Sequence, residues 1–164
     1  MKVDNIYIGV IGEGSCSEET SQLAYEVGRR IGERGAILIC GGRGGVMEAA
    51  AKGAKSVGGL TVGILPGSSR DEANPYIDIA IVTGIDEARN IVLVRSCHVL
   101  IAVEGMYGTL SEIAFACKFG IPVIGLNTWR IDRNGLTKSP IIQVKTPEEG
   151  VEKAFQIIQS QKGG

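Results

Sequence analysis

The 164-residue sequence holds one histidine, His98, and no Cys-x-x-Cys pair, and these two gaps remove whole classes of chemistry. A Ser–His–Asp relay needs an imidazole at the ligand end of its strand. His98 instead falls where a strand-like run begins, which reads as a structural position. No grouping of His, Cys, Asp and Glu has metal-ligand spacing, so no metal site is expected. The four cysteines Cys16, Cys40, Cys97 and Cys117 lie far apart. They read as small apolar residues of a protein kept in the reducing cytoplasm, not as a disulfide framework. Charge of one sign is also lacking: 17 Lys and Arg against 18 Asp and Glu leave a net charge of −1. Such a chain has no basic field to hold nucleic acid or an anionic membrane. Long apolar runs are missing too. The run Val99 to Val103 is far too short to cross a bilayer. Lys2 and Asp4 lead straight into a strand-like stretch, so no signal peptide is expected.

What is abundant is glycine, with 24 residues, roughly twice the usual share. It follows no triplet repeat, so it marks tight turns and places where backbone comes close to a ligand. An apolar share of 44% supplies a core, and the length suits one domain over residues 1–164. The apolar stretch 6–11 ends at Gly12 and reads as a buried strand. Further strands are predicted over 36–40, 60–65, 77–82, 98–103 and 121–126, with an edge strand at 141–144. Leu23, Val27 and Ile31 recur every four residues, which predicts a helix over 18–34 closed by Gly35. Other helices are predicted over 46–57, over 86–96 with Asp86 as N-cap, and over 109–119 with Gly120 as C-cap. A last helix over 147–158 has Pro147 in its first turn, followed by a frayed tail at 159–164. Between them lie a polar loop at 68–75 and an irregular stretch at 127–139 with an Asn134-Gly135 turn. Strands rich in Ile and Val alternating with helices imply right-handed crossovers. The fold is therefore α/β: a Rossmann-like, doubly wound, mostly parallel sheet with helices on both faces. Ligands in such folds bind beyond the carboxyl ends of the strands, at the loops opening near Gly12, Gly41, Pro66, Thr83 and Glu104.

Three of those loops carry chemistry. Gly12-Glu13-Gly14-Ser15 begins like a dinucleotide fingerprint, but Ser17 stands where the third glycine belongs. No acidic residue follows Cys40 to hold a ribose. NAD is therefore not expected, and the turn leaves room for another ligand. Gly41-Gly42-Arg43-Gly44-Gly45 exposes backbone N–H groups at a helix start and adds a fixed charge. It lacks the Gly-Lys-Ser/Thr of a Walker loop and reads as a phosphate-binding turn, or else as a tight turn needing positive φ. Thr109-Leu110-Ser111-Glu112 has the spacing of a capping box, with Thr109 as N-cap and Glu112 reaching back. Arg89 points to a different role for that glutamate. A cation in the first turn of a helix opposes the dipole and needs an anionic partner, which is Glu112, Asp86 or a bound phosphate. Trp129, in the irregular stretch, is read as packing over the sheet.

The run Gly42-Arg43-Gly44-Gly45-Val46-Met47-Glu48-Ala49-Ala50-Ala51-Lys52-Gly53-Ala54, taken with Glu104-Gly105-Met106-Tyr107-Gly108-Thr109-Leu110-Ser111-Glu112, resembles the Lonely Guy superfamily. Its members were long labelled possible lysine decarboxylases, and many are nucleoside 5′-monophosphate phosphoribohydrolases. The superfamily pattern is Pro-Gly-Gly-x-Gly-Thr-x-x-Glu, matched here by Gly105, Gly108, Thr109 and Glu112. Arg89 precedes the motif by the typical interval. The resemblance implies Arg89 and Glu112 as catalytic residues. It implies ligand phosphate at Gly12, Gly14 and Ser15, at Gly41 to Gly45, and along Gly105, Met106, Tyr107, Gly108 and Thr109. Glu104 replaces the proline, Met106 the second glycine, and Asn90 the usual lysine. These departures are more similar to the branch of small molybdenum cofactor carrier proteins.

Two functions follow as expectations. One is an enzyme cleaving the N-glycosidic bond of a nucleoside monophosphate, with Glu112 steadying the oxocarbenium-like centre or orienting water. The other is a carrier of the molybdenum cofactor or a related phosphorylated pterin, with no chemistry. Neither requires a further cofactor, and no lysine sits where a pyridoxal group would be linked. A homodimer or larger homo-oligomer is also expected. Leu110, Ile113, Ala114, Phe115, Ala116, Cys117 and Phe119 put apolar groups nearly all round the 109–119 helix, and one face needs a second cover.

Overall fold

The computed structural model describes residues 4–135 and 138–164. Strands β1 (Tyr7–Ile11), β2 (Ile37–Cys40), β3 (Thr61–Leu65), β4 (Ile79–Val82), β5 (Val99–Val103), β6 (Val123–Leu126) and β7 (Ile141–Val144) form one sheet. Helices α1 (Glu18–Glu33), α2 (Val46–Ser56), α3 (Arg89–Arg95), α4 (Tyr107–Phe119) and α5 (Pro147–Lys162) connect and cover it. Every strand pair is parallel and the order is β4-β3-β2-β1-β5-β6-β7. The order reverses between β1 and β5. That switch point opens a crevice at the carboxyl edge, where the loops after β1 and β5 diverge to opposite faces.

Alternation along each strand divides the core. Ile8 and Val10 pack under α1, α2 and α5, while Ile11 joins Leu100, Leu93, Val94, Ile113 and Ala116 beneath α3 and α4. The close approach of α1 and α2 depends on glycine. A Cβ on Gly28 would lie 1.9 Å from the Ala50 carbonyl oxygen, and one on Gly53 2.0 Å from that of Tyr25.

Local signals place most boundaries. Ser17 is the N-cap of α1, its side chain accepting from the Thr20 amide at 3.1 Å. That role accounts for a serine where a dinucleotide fingerprint has glycine. Thr146 caps α5 ahead of Pro147, and Gly120 ends α4 at φ 72°. Two expectations fail here. Residues 159–162 continue α5, because Ile158 is buried and anchors its last turns. Asp86 does not cap a helix over 86–96. It sits at φ 50° at the start of a 3-10 turn, Asp86–Ala88, and α3 proper begins at Arg89 with no side-chain cap. His98 lies at the amino edge, accepting from the Tyr7 amide at 3.0 Å and stacking on its ring. Trp129 packs against the α3–α4 side of the core.

Candidate functional site

At the carboxyl edge, the loops after β1 and β2, the end of β3, the entry to α3 and the start of α4 enclose a cleft of about 1050 Å³. Gly12, Gly14, Gly41, Arg43, Gly44, Arg89, Gly108, Thr109 and Glu112 all line it. Residues up to a hundred positions apart thus meet because each ends a parallel strand or begins the following helix. Ser15, Gly42, Gly45, Gly105, Met106 and Tyr107 do not line it. Gly42 is buried behind the loop, where a Cβ would meet Leu65 and Gly63. Gly45 is pressed against the Glu13–Ser15 backbone, and Gly105 lies over Thr109. Met106 and Tyr107 are 57% and 74% exposed.

The glycine loop is tied back at successive carbonyls. Arg89 Nη1 donates to the Gly41 oxygen at 2.6 Å and also to the Ile64 oxygen. The Asn74 amide donates to the Gly42 oxygen at 2.8 Å, and Asn74 Nδ2 to the Arg43 oxygen at 2.8 Å. The partner required by Arg89 is therefore mainly carbonyl oxygen at the ends of β2 and β3. Its side chain bonds neither Asp86 nor Glu112 directly. Burial lowers its pKa from the usual arginine value, while the nearby Glu112 charge opposes that shift.

Glu112 does not cap α4. The helix starts two residues earlier than expected, with Met106 at the N-cap position and the Leu110 amide bonded to the Met106 oxygen. Thr109 is thereby the third helical residue, buried, and Glu112 lies one turn further on, facing the cleft floor at 8% exposure. Burial drives its pKa from 4.5 up to about 8, Arg89 opposing the rise and Glu13 adding to it. At neutral pH this carboxyl largely holds its proton. The thiol of Cys40, fully buried at the end of β2, is likewise pushed up to about 12 by burial.

Several lining residues were not among the site residues expected from the sequence. Glu13 Oε1 accepts from the Met106 amide at 2.6 Å, so the start of α4 is met by one of the protein's own carboxylates. Glu72, Asp86 and Glu87 line the cleft together with Pro66 and Gly67. Asn90 also lines the cleft, its Nδ2 donating to Ser111 Oγ at 3.2 Å. Glu13 was visible inside a glycine turn, but nothing in its spacing told that it reaches a helix 93 residues on. Asn74-Pro75 is a turn signal, and its long-range bonds leave no local mark.

A protein-family model matches residues 5–152, and its description is the SLOG cluster4 family. The chain belongs to that family. A protein of Archaeoglobus fulgidus is 50% identical over 149 residues, 88% of this chain and 91% of the relative. A cytokinin riboside 5′-monophosphate phosphoribohydrolase of Mycobacterium tuberculosis is 32% identical over 120 residues, 68% of this chain and 64% of the relative. Among solved structures, the molybdenum cofactor binding protein of Rippkaea orientalis superposes with a TM-score of 0.88 at 38% identity. That match covers 96% of this chain and 99% of the other. The molybdenum cofactor carrier protein of Chlamydomonas reinhardtii gives 0.80 at 33% identity, over 94% and 99%. The resemblance to the Lonely Guy superfamily and its small carrier branch therefore stands, as does the Rossmann-like fold.

In this SLOG cluster4 chain the cleft is lined by glycines, by Arg43 and Arg89, and by the acidic residues Glu13, Glu72, Asp86, Glu87 and Glu112. Among the described residues, no group of three or more His, Cys, Asp and Glu is placed to hold a metal ion. Cys16, Cys40, Cys97 and Cys117 are all free thiols. Among the described residues, no helix is long and apolar enough to cross a membrane.

Proposed function

We propose that the chain is a carrier that binds a small phosphorylated ligand in this cleft, the molybdenum cofactor or a related phosphorylated pterin, and holds it without cleaving it. The observation that carries this reading is the Glu13 carboxylate on the Met106 amide. Where a phosphoribohydrolase of the resembling superfamily would lay a glycine loop on phosphate, this chain places an anion. The phosphate is then left to the loop at Gly41 to Gly45, where Arg43 lines the cleft. The acidic lining suits a pterin. Its aminopyrimidinone edge presents N–H donors, and Glu72, Asp86 and Glu87 supply carboxylate acceptors in the same cleft. The likeness to molybdenum cofactor proteins over nearly the whole chain supports the same reading. The carrier would act in the cytoplasm as a homo-oligomer.

A second reading is hydrolysis of a nucleoside 5′-monophosphate. It is favoured by Arg89 and Glu112 sharing the cleft, since a glutamic acid that keeps its proton at neutral pH can protonate a leaving base. Native mass spectrometry of freshly purified protein separates the two. The carrier reading expects a co-purifying mass that fits a phosphorylated pterin, and no release of base from AMP or GMP. Turnover of either nucleotide that falls ~10²-fold in Glu112→Gln replaces the carrier with the enzyme.

A further inference from the structure

We infer that Asn74 is the positioning residue of the ligand loop, holding it so that the amide hydrogens of Arg43 and Gly44 face the cleft as a ready-made site for a phosphate oxygen. The inference rests on the proposed binding of a phosphorylated ligand and names the atoms that receive it.

Asn74 is 9% exposed and every polar group it carries is engaged. Its backbone amide donates to the Gly42 oxygen and its Nδ2 to the Arg43 oxygen, both at 2.8 Å. Its Oδ1 accepts from the Tyr76 amide at 3.0 Å, which fixes the side chain's orientation. Neither Asn74 nor Gly42 lines the cleft, whereas Arg43 and Gly44 do. In a trans peptide the C=O and N–H of one unit point in opposite directions. The Gly42 carbonyl belongs to the unit whose N–H is that of Arg43, and the Arg43 carbonyl to the unit ending in the Gly44 N–H. Drawing both carbonyls back to Asn74 therefore turns both N–H groups toward the opposite side, which is the cleft. Among the described residues, neither amide donates a hydrogen bond within the protein. By contrast the Val46 amide, two residues on, donates to the Glu13 oxygen at 2.9 Å. Two adjacent free donors, one of them on a cationic residue that lines the cleft, make a concavity suited to a tetrahedral oxyanion. Gly42 at φ 79° permits the turn that brings the two units into line.

Backbone 15N–1H spectra of the full chain test this, with inorganic phosphate and ribose 5-phosphate as probes and Asn74→Asp as the variant. Aspartate keeps the acceptor for Tyr76 but sets an oxygen against the Arg43 carbonyl. In the wild type, either probe should move the Arg43 and Gly44 amide protons downfield. In Asn74→Asp those shifts should vanish and probe affinity should fall ~10-fold or more, with the α2 and α4 resonances otherwise unchanged. Asn74→Ala, which removes the Nδ2 donor with no added charge, should weaken binding by a smaller factor. Wild-type affinity in both variants overturns the positioning role and leaves the ligand reading intact. Shifts confined to Gly108 and Thr109 overturn it as well, moving the phosphate to α4. No response from any cleft amide overturns this inference together with the carrier reading.

Discussion

Glu112 shows how one residue's environment sets its behaviour. Folding removes its carboxyl from water and raises its pKa well above 4.5, so the folded state holds this proton more tightly than the unfolded chain. Between the unfolded value and about 8 the native state therefore binds the extra proton, and stability falls as pH rises through that window. Glu112→Gln keeps the shape and loses the proton. Its melting temperature, compared with wild type from pH 5 to pH 8, should gain on wild type steadily as pH rises. A difference that stays constant over that range would show that Glu112 does not titrate there. Arg89 is the companion case. In the sequence it is a cation at a helix start in search of an anion. In the fold its donors hold the ends of β2 and β3, at the Gly41 and Ile64 oxygens, and so shape the floor of the cleft.

Helices α1 and α2 lie close enough that the glycines between them are steric requirements. Gly28→Ala would put a methyl carbon 1.9 Å from the Ala50 oxygen and must drive the two helices apart. We expect a loss of ~3 kcal/mol, the upper part of the range for overpacking a core, measured by urea denaturation. Gly35 supplies the contrast. It has nothing within 4 Å but sits at φ 73°, so Gly35→Ala should cost only ~1 kcal/mol, the penalty of a left-handed backbone for a residue with a Cβ. Equal losses in the two variants would mean that the helix contact relaxes at no cost. α4 illustrates the opposite relation between pattern and structure. Thr109-x-x-Glu112 has capping-box spacing, yet the helix begins at Tyr107 because Met106 receives its local order from elsewhere. Glu13 accepts from its amide and Trp129 Nε1 donates to its carbonyl oxygen.

The whole molecule leaves apolar surface on the side covered by α3 and α4. On α4, Ile113 and Ala116 are buried against the sheet, while Ala114 and Cys117 face outward and Leu110 and Phe115 are half covered. At the β4 edge, Ile79 and Ile81 are 47% and 44% exposed. A second copy would cover such a surface, and we expect sedimentation of the wild type at tens of micromolar to report a dimer or larger species. Phe115 packs partly into the core, so Ala114→Arg tests the outer face more cleanly. It should shift the distribution toward monomer with a melting temperature close to wild type. A wild type that sediments as a monomer removes the proposal.

The sequence by itself determined the order and type of the elements. Ile and Val runs closed by glycine, proline or polar residues marked the strands, and a four-residue apolar spacing marked α1. Both are local consequences of how a chain of that pattern buries its side chains. It also determined that Gly41 to Gly45, Arg89 and Glu112 meet at one edge, since parallel crossovers bring all carboxyl ends together. The tertiary structure decided what those residues do there. That Glu13 meets the start of α4, that Asn74 and Arg89 draw back successive carbonyls of one loop, and that Glu112 keeps its proton all depend on contacts between residues 31 to 93 positions apart or on the exclusion of water from the cleft. Local pattern carries no record of such contacts, because hydrogen-bond geometry and desolvation are set only when the chain has closed around them.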